Sequence, residues 1–318
     1  MSRFLIVWLV FSLKKVTDLM SGSATKLNSQ ALACLRALLR HTKGTLILTS
    51  SHALCRLGIV GRDYRNRSKV ASQNYRCLTN NSEPIDAVWI AVRRFLLEEG
   101  ATWGQNKQII SQIQACTRQL DEVVAPLHQQ KIPVILAPLH MVSDVLATIV
   151  GAGTTPRNAT VIVSSSAEQN KFDSDSRILG GVNLSYCTIH QEDKSLAKEL
   201  MTLMAEIGSG AKNMIIFPDI TPDFTIHAGE GAINKLPCRL FNRPAKLHNG
   251  IVRLSSVISA QVVFYNLYYK NGIRINIHTP ISAKEITTQM PVIIEKAIRD
   301  YPNDWLLWHS HSLYFINH

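Results

Sequence analysis

The chain has 318 residues, of which 46% are hydrophobic, so it is long enough to bury a substantial core in one or two domains. Its six cysteines are scattered without metal-ligand spacing, which excludes a disulfide framework or a cysteine zinc site and indicates reduced thiols in a cytosol-facing protein. The net charge of +11 comes entirely from residues 1–80, which carry 13 Lys or Arg and two acids. Such a basic block favours nucleic acid or an anionic membrane as a partner.

The chain begins with a short apolar run at residues 4–13, flanked by Arg3 and Lys14. Spanning a bilayer takes about 20 apolar residues, so this run is too short. A signal peptide is the rival interpretation, but basic residues follow the run and no clear cleavage site is present. We therefore predict an uncleaved anchor in the membrane interface. Residues 26–41 then predict a basic amphipathic helix, which lies either in the headgroup plane or in the domain core.

Residues 58–78 form a second basic region, with Tyr64 and Tyr75 among its cations. Nucleic-acid binding is one interpretation, but the region carries no recognised nucleic-acid fold signature. A basic region beside a hydrophobic anchor favours phospholipid instead. Residues 80–84 predict a loop, and residues 86–99 and 105–129 predict two amphipathic helices. The cations of this region, with one just upstream, are Arg56, Arg62, Arg65, Arg67, Lys69 and Arg76.

The segment 131–153 carries the strongest functional pattern of the chain. A β-branched apolar run at residues 132–136 predicts a buried strand, and residues 139–150 predict a helix that ends at a Gly-Ala-Gly stop. The only ionisable side chains within strand and helix are His140 and Asp144. If the helix starts near His140, the spacing of four places both on one face, at the carboxyl end of the strand. A histidine with a carboxylate partner is a general base; the alternative is a helix-capping histidine and a solvated acid.

The remaining chain alternates strands with helices. Strands are predicted at residues 159–163, 183–189 and 213–217, a helix at 195–207, and a hairpin at 260–269 and 272–278. Asp219 follows the 213–217 strand, at a position where α/β sheets collect binding residues. The pattern predicts an α/β fold with a mainly parallel central sheet flanked by helices. We expect a single domain at residues 44–318 and a membrane-associating segment at residues 1–43.

Several segments, in matching order, resemble the lysophospholipid-acyltransferase-like family, in its branch of bacterial lipid A late acyltransferases. The apolar amino terminus resembles the family's anchor, and residues 67–77 (RSKVASQNYRC) its Arg…Asn-Leu…Cys segment. His140 with a nearby acid follows a buried strand, and residues 215–219 (IIFPD) resemble the family's strand that ends in an aspartate. Residues 238–245 (CRLFNRPA) resemble its Phe-Phe-Gly-x-Pro-Ala loop. The most specific match is residues 301–309 (YPNDWLLWH), which resemble its terminal Pro-x-x-Trp-x-Trp-x-His.

The resemblance implies a glycerol-3-phosphate acyltransferase-like α/β fold and acyl transfer from a thioester to an alcohol or amine. His140 would deprotonate the acceptor and Asp144 would orient His140. The implied donor is acyl-acyl carrier protein, an acidic partner that suits basic patches, and no metal or bound cofactor is implied. The implied location is the cytoplasmic face of the bacterial inner membrane, with anionic lipid and not nucleic acid as the second partner. The residues implied to bind donor or acceptor are Asn170, Arg177, Asp219, Arg239 and Arg243. The alternative for Arg239 and Arg243 is that they are solvated loop charges.

The sequence departs from the family pattern at its central motif. The family places its acid five residues after the histidine, whereas Asp144 follows His140 by four and Val145 stands at the expected place. Ser164–Ser166 stand where the family tends to carry an arginine, and Asn242 stands where its loop has a glycine. These changes leave room for a peptide or natural-product acceptor. They also leave a second hypothesis, a membrane-bound binding or scaffold protein that keeps the fold without the chemistry.

Overall fold

The computed structural model of the chain describes residues 24–61, 64–163, 183–188, 196–219 and 235–308. An amino-terminal helical section comes first, and strands and helices then alternate around one large sheet. The helices are α1 (Ala24–His41), α2 (Gly44–Arg56), α3 (Arg65–Thr79), α4 (Ala87–Ala101), α5 (Lys107–Gln129), α6 (Asp144–Ala152), α7 (Leu196–Gly208), α8 (Gly250–Ile258) and α9 (Ile286–Asp300). The strands are β1 (Val134–Pro138), β2 (Asn158–Val163), β3 (Asn183–Thr188), β4 (Asn213–Ile215), β5 (Lys235–Leu240), β6 (Arg243–His248), β7 (Gln261–Tyr269), β8 (Ile273–Ile277) and β9 (Ile281–Ser282).

Within the described residues, the main sheet has seven strands and is mostly parallel. Its order is β3-β2-β4-β1-β7, and these five strands run parallel to one another. The strands β8 and β9 pair antiparallel with β7, on the edge that faces away from β1. The predicted α/β fold with a mainly parallel sheet and flanking helices is confirmed. A separate antiparallel hairpin, β5–β6, stands outside this sheet.

Strand β1 lies at the centre of the fold, and all five of its residues are buried. Its side chains alternate between the two faces of the sheet. Val134 and Leu136 join a core formed with α5 and α6, whereas Ile135 and Ala137 join a core formed with α7 and α9. Both faces are therefore covered, which explains why β1 appears in the sequence as a continuous apolar run.

Most predicted elements lie within a few residues of their observed positions, and the antiparallel pairing of β7 with β8 is confirmed. One prediction was wrong. The helix after β1 begins at Asp144 and not near His140, because Ser143 caps it: the Ser143 Oγ accepts from the Leu146 N–H at 3.1 Å. Residues 238–245, which resemble a loop motif of the family, lie in the β5–β6 hairpin, whose turn residues Phe241 and Asn242 both have positive φ.

Helix α1 packs into the domain. Leu35 and Leu39 are 2% and 1% exposed within the same core as α5 and α6. The Arg36 Nε lies 2.8 Å from the Glu99 carboxylate of α4. The Asn106 Nδ2, at the start of α5, donates to the Leu39 carbonyl at 2.6 Å. Of the two alternatives for this helix, the structure therefore supports the core helix.

The predicted anchor at residues 4–13 lies outside the described residues. Among the helices that the structure describes, none is both long and apolar enough to cross a bilayer.

Candidate active site

The sheet order places the carboxyl ends of two strands side by side. Strands β1 and β4 are parallel neighbours in the main sheet, so their carboxyl ends meet at the same edge. Open α/β sheets bind their ligands outside the carboxyl ends of the strands. His140 lies just beyond the end of β1 and Asp219 just beyond the end of β4.

His140 and Asp219 form a hydrogen-bonded pair at this edge of the sheet. The His140 Nδ1 lies 2.8 Å from the Asp219 Oδ1, and the backbone N–H of His140 donates to the same carboxylate at 3.0 Å. The Asp219 side chain is 1% exposed, whereas that of His140 is 14% exposed. An ionised carboxylate only accepts, so Nδ1 carries the proton. The Nε2 of a neutral His140 then holds the lone pair that can accept a proton from a ligand.

The carboxyl-terminal segment, residues 301–308 after α9, contacts both members of this pair. The Trp305 Nε1 donates to the Asp219 Oδ2 at 3.1 Å. The backbone N–H of Leu306 donates to the His140 carbonyl at 2.9 Å, and Met141 and Trp305 form an antiparallel β-bridge. The segment predicted to resemble a terminal family motif is thus part of the site.

A buried ion pair anchors that segment to α4. The Arg93 Nη2 lies 2.6 Å from the Asp304 Oδ1, and both side chains are almost fully buried. The other carboxylate oxygen of Asp304 accepts from the Tyr269 N–H at 3.1 Å, and the Asp304 carbonyl accepts from the Val142 N–H at 2.8 Å. The loop that carries His140 is therefore tied to β7 and to α4 through one acidic residue.

Asp144 has a different partner from the one predicted. Its carboxylate lies 2.6 Å from the Arg94 Nη2, and Asp144 is the first residue of α6. The Arg94 Nε donates to Glu98 at 2.7 Å, and the Ser143 Oγ donates to the same Glu98 oxygen at 2.7 Å. The expectation that Asp144 orients the imidazole is corrected: because the helix starts only at Asp144, His140 is not one turn below it, and Asp219 is the hydrogen-bond partner of Nδ1.

The charges around the site act on His140 in opposing directions. Burial lowers the pKa of His140, but Asp219 and, more weakly, Asp144 outweigh burial and hold that pKa above its ordinary value. Arg94 acts against them. Burial raises the pKa of Glu98 and Arg94 lowers it, and the balance leaves that pKa above its ordinary value. His140 is therefore a stronger base than a free imidazole, and Asp144 contributes electrostatically without bonding to Nδ1.

The predicted binding arginines of the hairpin have partners of their own. The Arg243 Nη2 donates to the Cys77 carbonyl at 2.8 Å, which joins β6 to the end of α3. The Arg239 Nη2 donates to the Asn242 carbonyl within the hairpin at 2.6 Å. The two other predicted binding residues, Asn170 and Arg177, lie outside the described residues. A ligand-binding role for these four residues stays a prediction.

Sequence reasoning missed Trp305, Arg94 and Glu98 as members of the site. Trp305 stood inside the terminal motif, which was matched as a whole without a role for any side chain. Arg94 and Glu98 are i and i+4 on α4 and had the pattern of a solvated helix pair. Within the described ranges, no group of three or more His, Cys, Asp or Glu side chains is placed to hold a metal ion.

The sequence matches no protein-family model and has no significant match among curated proteins.

Proposed function

We propose that this chain is a membrane-associated acyltransferase. It would move a fatty acyl group from an acyl-carrier-protein or CoA thioester to a hydroxyl or amine of a lipid-like or natural-product acceptor. The observation that carries the proposal is His140 at the carboxyl end of β1, hydrogen-bonded through Nδ1 to the buried Asp219 carboxylate. This is the arrangement of a general base with an orienting carboxylate.

The chemistry follows from the position of the ring nitrogens. The His140 Nε2 takes the proton of the acceptor as its oxygen or nitrogen attacks the thioester carbonyl carbon. The tetrahedral intermediate collapses with cleavage of the carbon–sulfur bond, and the leaving thiolate takes the proton back from the imidazolium. Asp219 stabilises the imidazolium between these steps, because its negative charge lies 2.8 Å from Nδ1. The products are an ester or amide and a free thiol.

The ordered resemblance of several segments to lipid A late acyltransferases supports the reaction class. Its terminal motif supplies Trp305, which contacts Asp219, and its aspartate-ending strand supplies Asp219 itself. The basic first quarter of the chain supports anionic lipid and an acidic carrier protein as partners. We therefore propose the cytoplasmic face of a bacterial inner membrane as the location.

One observation favours a second candidate, a non-catalytic binding or scaffold protein. Asp144, which the family resemblance makes the carboxylate that orients His140, is held in an ion pair with Arg94. In a protein that keeps this fold but has lost its catalytic activity, such a residue would take part in a structural ion pair instead. The His140–Asp219 pair argues against this candidate, since Asp219 gives His140 a buried carboxylate partner in place of Asp144.

Acyl transfer by the purified full chain tests the proposal. Wild type, His140→Ala and His128→Ala would each receive radiolabelled acyl-carrier protein and a membrane lipid extract. His128 is a matched control, because its Nε2 bonds to Asn213 at the opposite end of β4, at 2.8 Å. We expect labelled product from wild type and His128→Ala, and none from His140→Ala. Equal product from all three would remove His140 from the mechanism. If no product forms, thioester hydrolysis with the same variants becomes the readout, and its independence of His140 would favour the binding protein.

A further inference from the structure

The Asp219 carboxylate has a different ring N–H donor on each oxygen. Its Oδ1 accepts from the His140 Nδ1 at 2.8 Å, and its Oδ2 accepts from the Trp305 Nε1 at 3.1 Å. The carboxylate torsion of an aspartate is soft and has no sharp preferred angle. The backbone N–H of His140 also donates to this carboxylate, 3.0 Å from Oδ2. The Trp305 N–H adds a donor to that oxygen from a separate segment of the chain, so the two rings hold the plane of the carboxylate from its two oxygens.

Trp305 is itself held rigidly. Its side chain is 2% exposed, and its ring packs edge-on against Trp308 with the ring centroids 4.8 Å apart. Its backbone pairs with Met141, the residue that follows His140. The Trp305 indole N–H and the His140 imidazole are therefore held in fixed positions relative to each other, because the Met141–Trp305 bridge joins their segments.

We infer that Trp305 is a positioning residue for the reaction, which fixes the Asp219 carboxylate in the orientation that receives the His140 Nδ1 proton. This inference rests on the proposed function, and it adds a residue that the sequence motif did not assign. Trp305 does not touch the reacting atoms in this role. It acts through Asp219, and loss of its N–H weakens the bond that keeps Nε2 aimed at the acceptor.

The chain contains a matched control for this role. Trp308 is also 2% exposed, packs against the same ring and donates its Nε1 hydrogen, but it donates to the Pro302 carbonyl at 2.7 Å. Trp305→Phe and Trp308→Phe each remove one indole N–H and leave an aromatic ring. Only Trp305→Phe removes a donor from Asp219.

The test compares these two variants in the full chain by two measurements. The first is the far-downfield proton resonance of the His140 Nδ1–H, assigned by its disappearance in His140→Gln. The second is the determination of kcat and KM separately for acyl transfer. We expect Trp305→Phe to lose or broaden the resonance and to lower kcat about tenfold, the effect of roughly one charge-assisted hydrogen bond, with KM little changed. Trp308→Phe should retain both wild-type values.

An unchanged resonance and kcat in Trp305→Phe would overturn the inference, as would an equal loss in Trp308→Phe. If melting shows that Trp305→Phe does not fold, 3-benzothienylalanine at position 305 replaces the N–H by sulfur in a ring of nearly the same shape, and the same outcomes apply. If wild type transfers no acyl group, the resonance alone decides the positioning role. An active wild type with an unaffected Trp305→Phe refutes the positioning role and leaves the proposed function standing.

Discussion

At the scale of single residues, the pairing with Asp219 explains why the His140 ring is a stronger base than a free imidazole. Both residues were predicted as functional from their places after buried strands, but as members of separate sets. Their pairing could not be predicted, because it depends on β1 and β4 being neighbours, although 79 residues separate the two side chains along the chain. The nearer acid, Asp144, was predicted as the partner from a helix start that the cap at Ser143 moves by one turn.

The pKa of His140 gives the first prediction. Because the carboxylates hold this pKa above 6.5, the base is unprotonated only at higher pH, and acyl transfer should rise with pH through a value above 6.5. Asp219→Asn removes the larger of the two raising influences while burial remains, so the pKa of His140 should fall. Asp144→Asn should lower it less. NMR titration of the His140 ring in the three proteins measures these values. An identical pKa in wild type and Asp219→Asn would contradict the prediction.

At the scale of elements, the site depends on a carboxyl-terminal segment with little regular structure. The periodicity of the sequence predicted β1 to β4, β7, β8 and the helices α1, α4, α5, α6 and α7, because buried runs and amphipathic patterns are local signals. The helices α2, α3, α8 and α9 were not predicted. The periodicity did not predict the β5–β6 hairpin, because the turn uses Phe241 and Asn242 at positive φ without the usual glycine. The contacts of Asp304 and Trp305 are long-range and have no local pattern.

The Arg93–Asp304 pair gives a prediction for this segment. Arg93→Met leaves the Asp304 carboxylate buried without its counter-charge, which typically costs about 3–5 kcal/mol of unfolding free energy. Urea unfolding measures the change. Lys296→Met is the control: it removes one partner of the exposed Lys296–Asp300 pair, and we expect no measurable effect. A loss from Arg93→Met no larger than that of the control would show that the pair does not anchor the segment.

At the scale of the whole molecule, the sheet order brings His140 and Asp219 together, and the basic charge is concentrated in the first quarter of the chain. The alternation of strands and helices predicted the α/β class and the mainly parallel sheet, but not the order β3-β2-β4-β1-β7 that makes β1 and β4 neighbours. Strand order is set by packing between distant segments, so a single sequence does not specify it in a visible pattern. The basic first quarter includes exposed cations on α3, among them Lys69 and Arg76.

Vesicle flotation tests the predicted membrane partner. We expect the full chain to float with phosphatidylglycerol vesicles more than with phosphatidylcholine vesicles, and to be released as salt rises well above about 0.15 M. The double variant Lys69→Gln/Arg76→Gln should bind anionic vesicles less than Lys107→Gln/Lys284→Gln, which removes two exposed cations from outside the basic quarter. Equal flotation with both lipids, insensitive to salt, would contradict an electrostatic membrane partner.

The central claim is that His140 is a general base oriented by Asp219. The measurement that tests it most directly is the acyl-transfer rate of Asp219→Asn beside that of Asp144→Asn, at a pH where His140 is neutral in all the proteins. An amide at position 219 disturbs the Nδ1–H arrangement and no longer stabilises the imidazolium, so the rate should fall about 10³-fold. Asp144→Asn should lower the rate less than about tenfold, because Asp144 bonds to Arg94 and acts on His140 only at a distance. A larger loss of rate in Asp144→Asn than in Asp219→Asn would make Asp144 the carboxylate that orients His140, and would contradict the central claim.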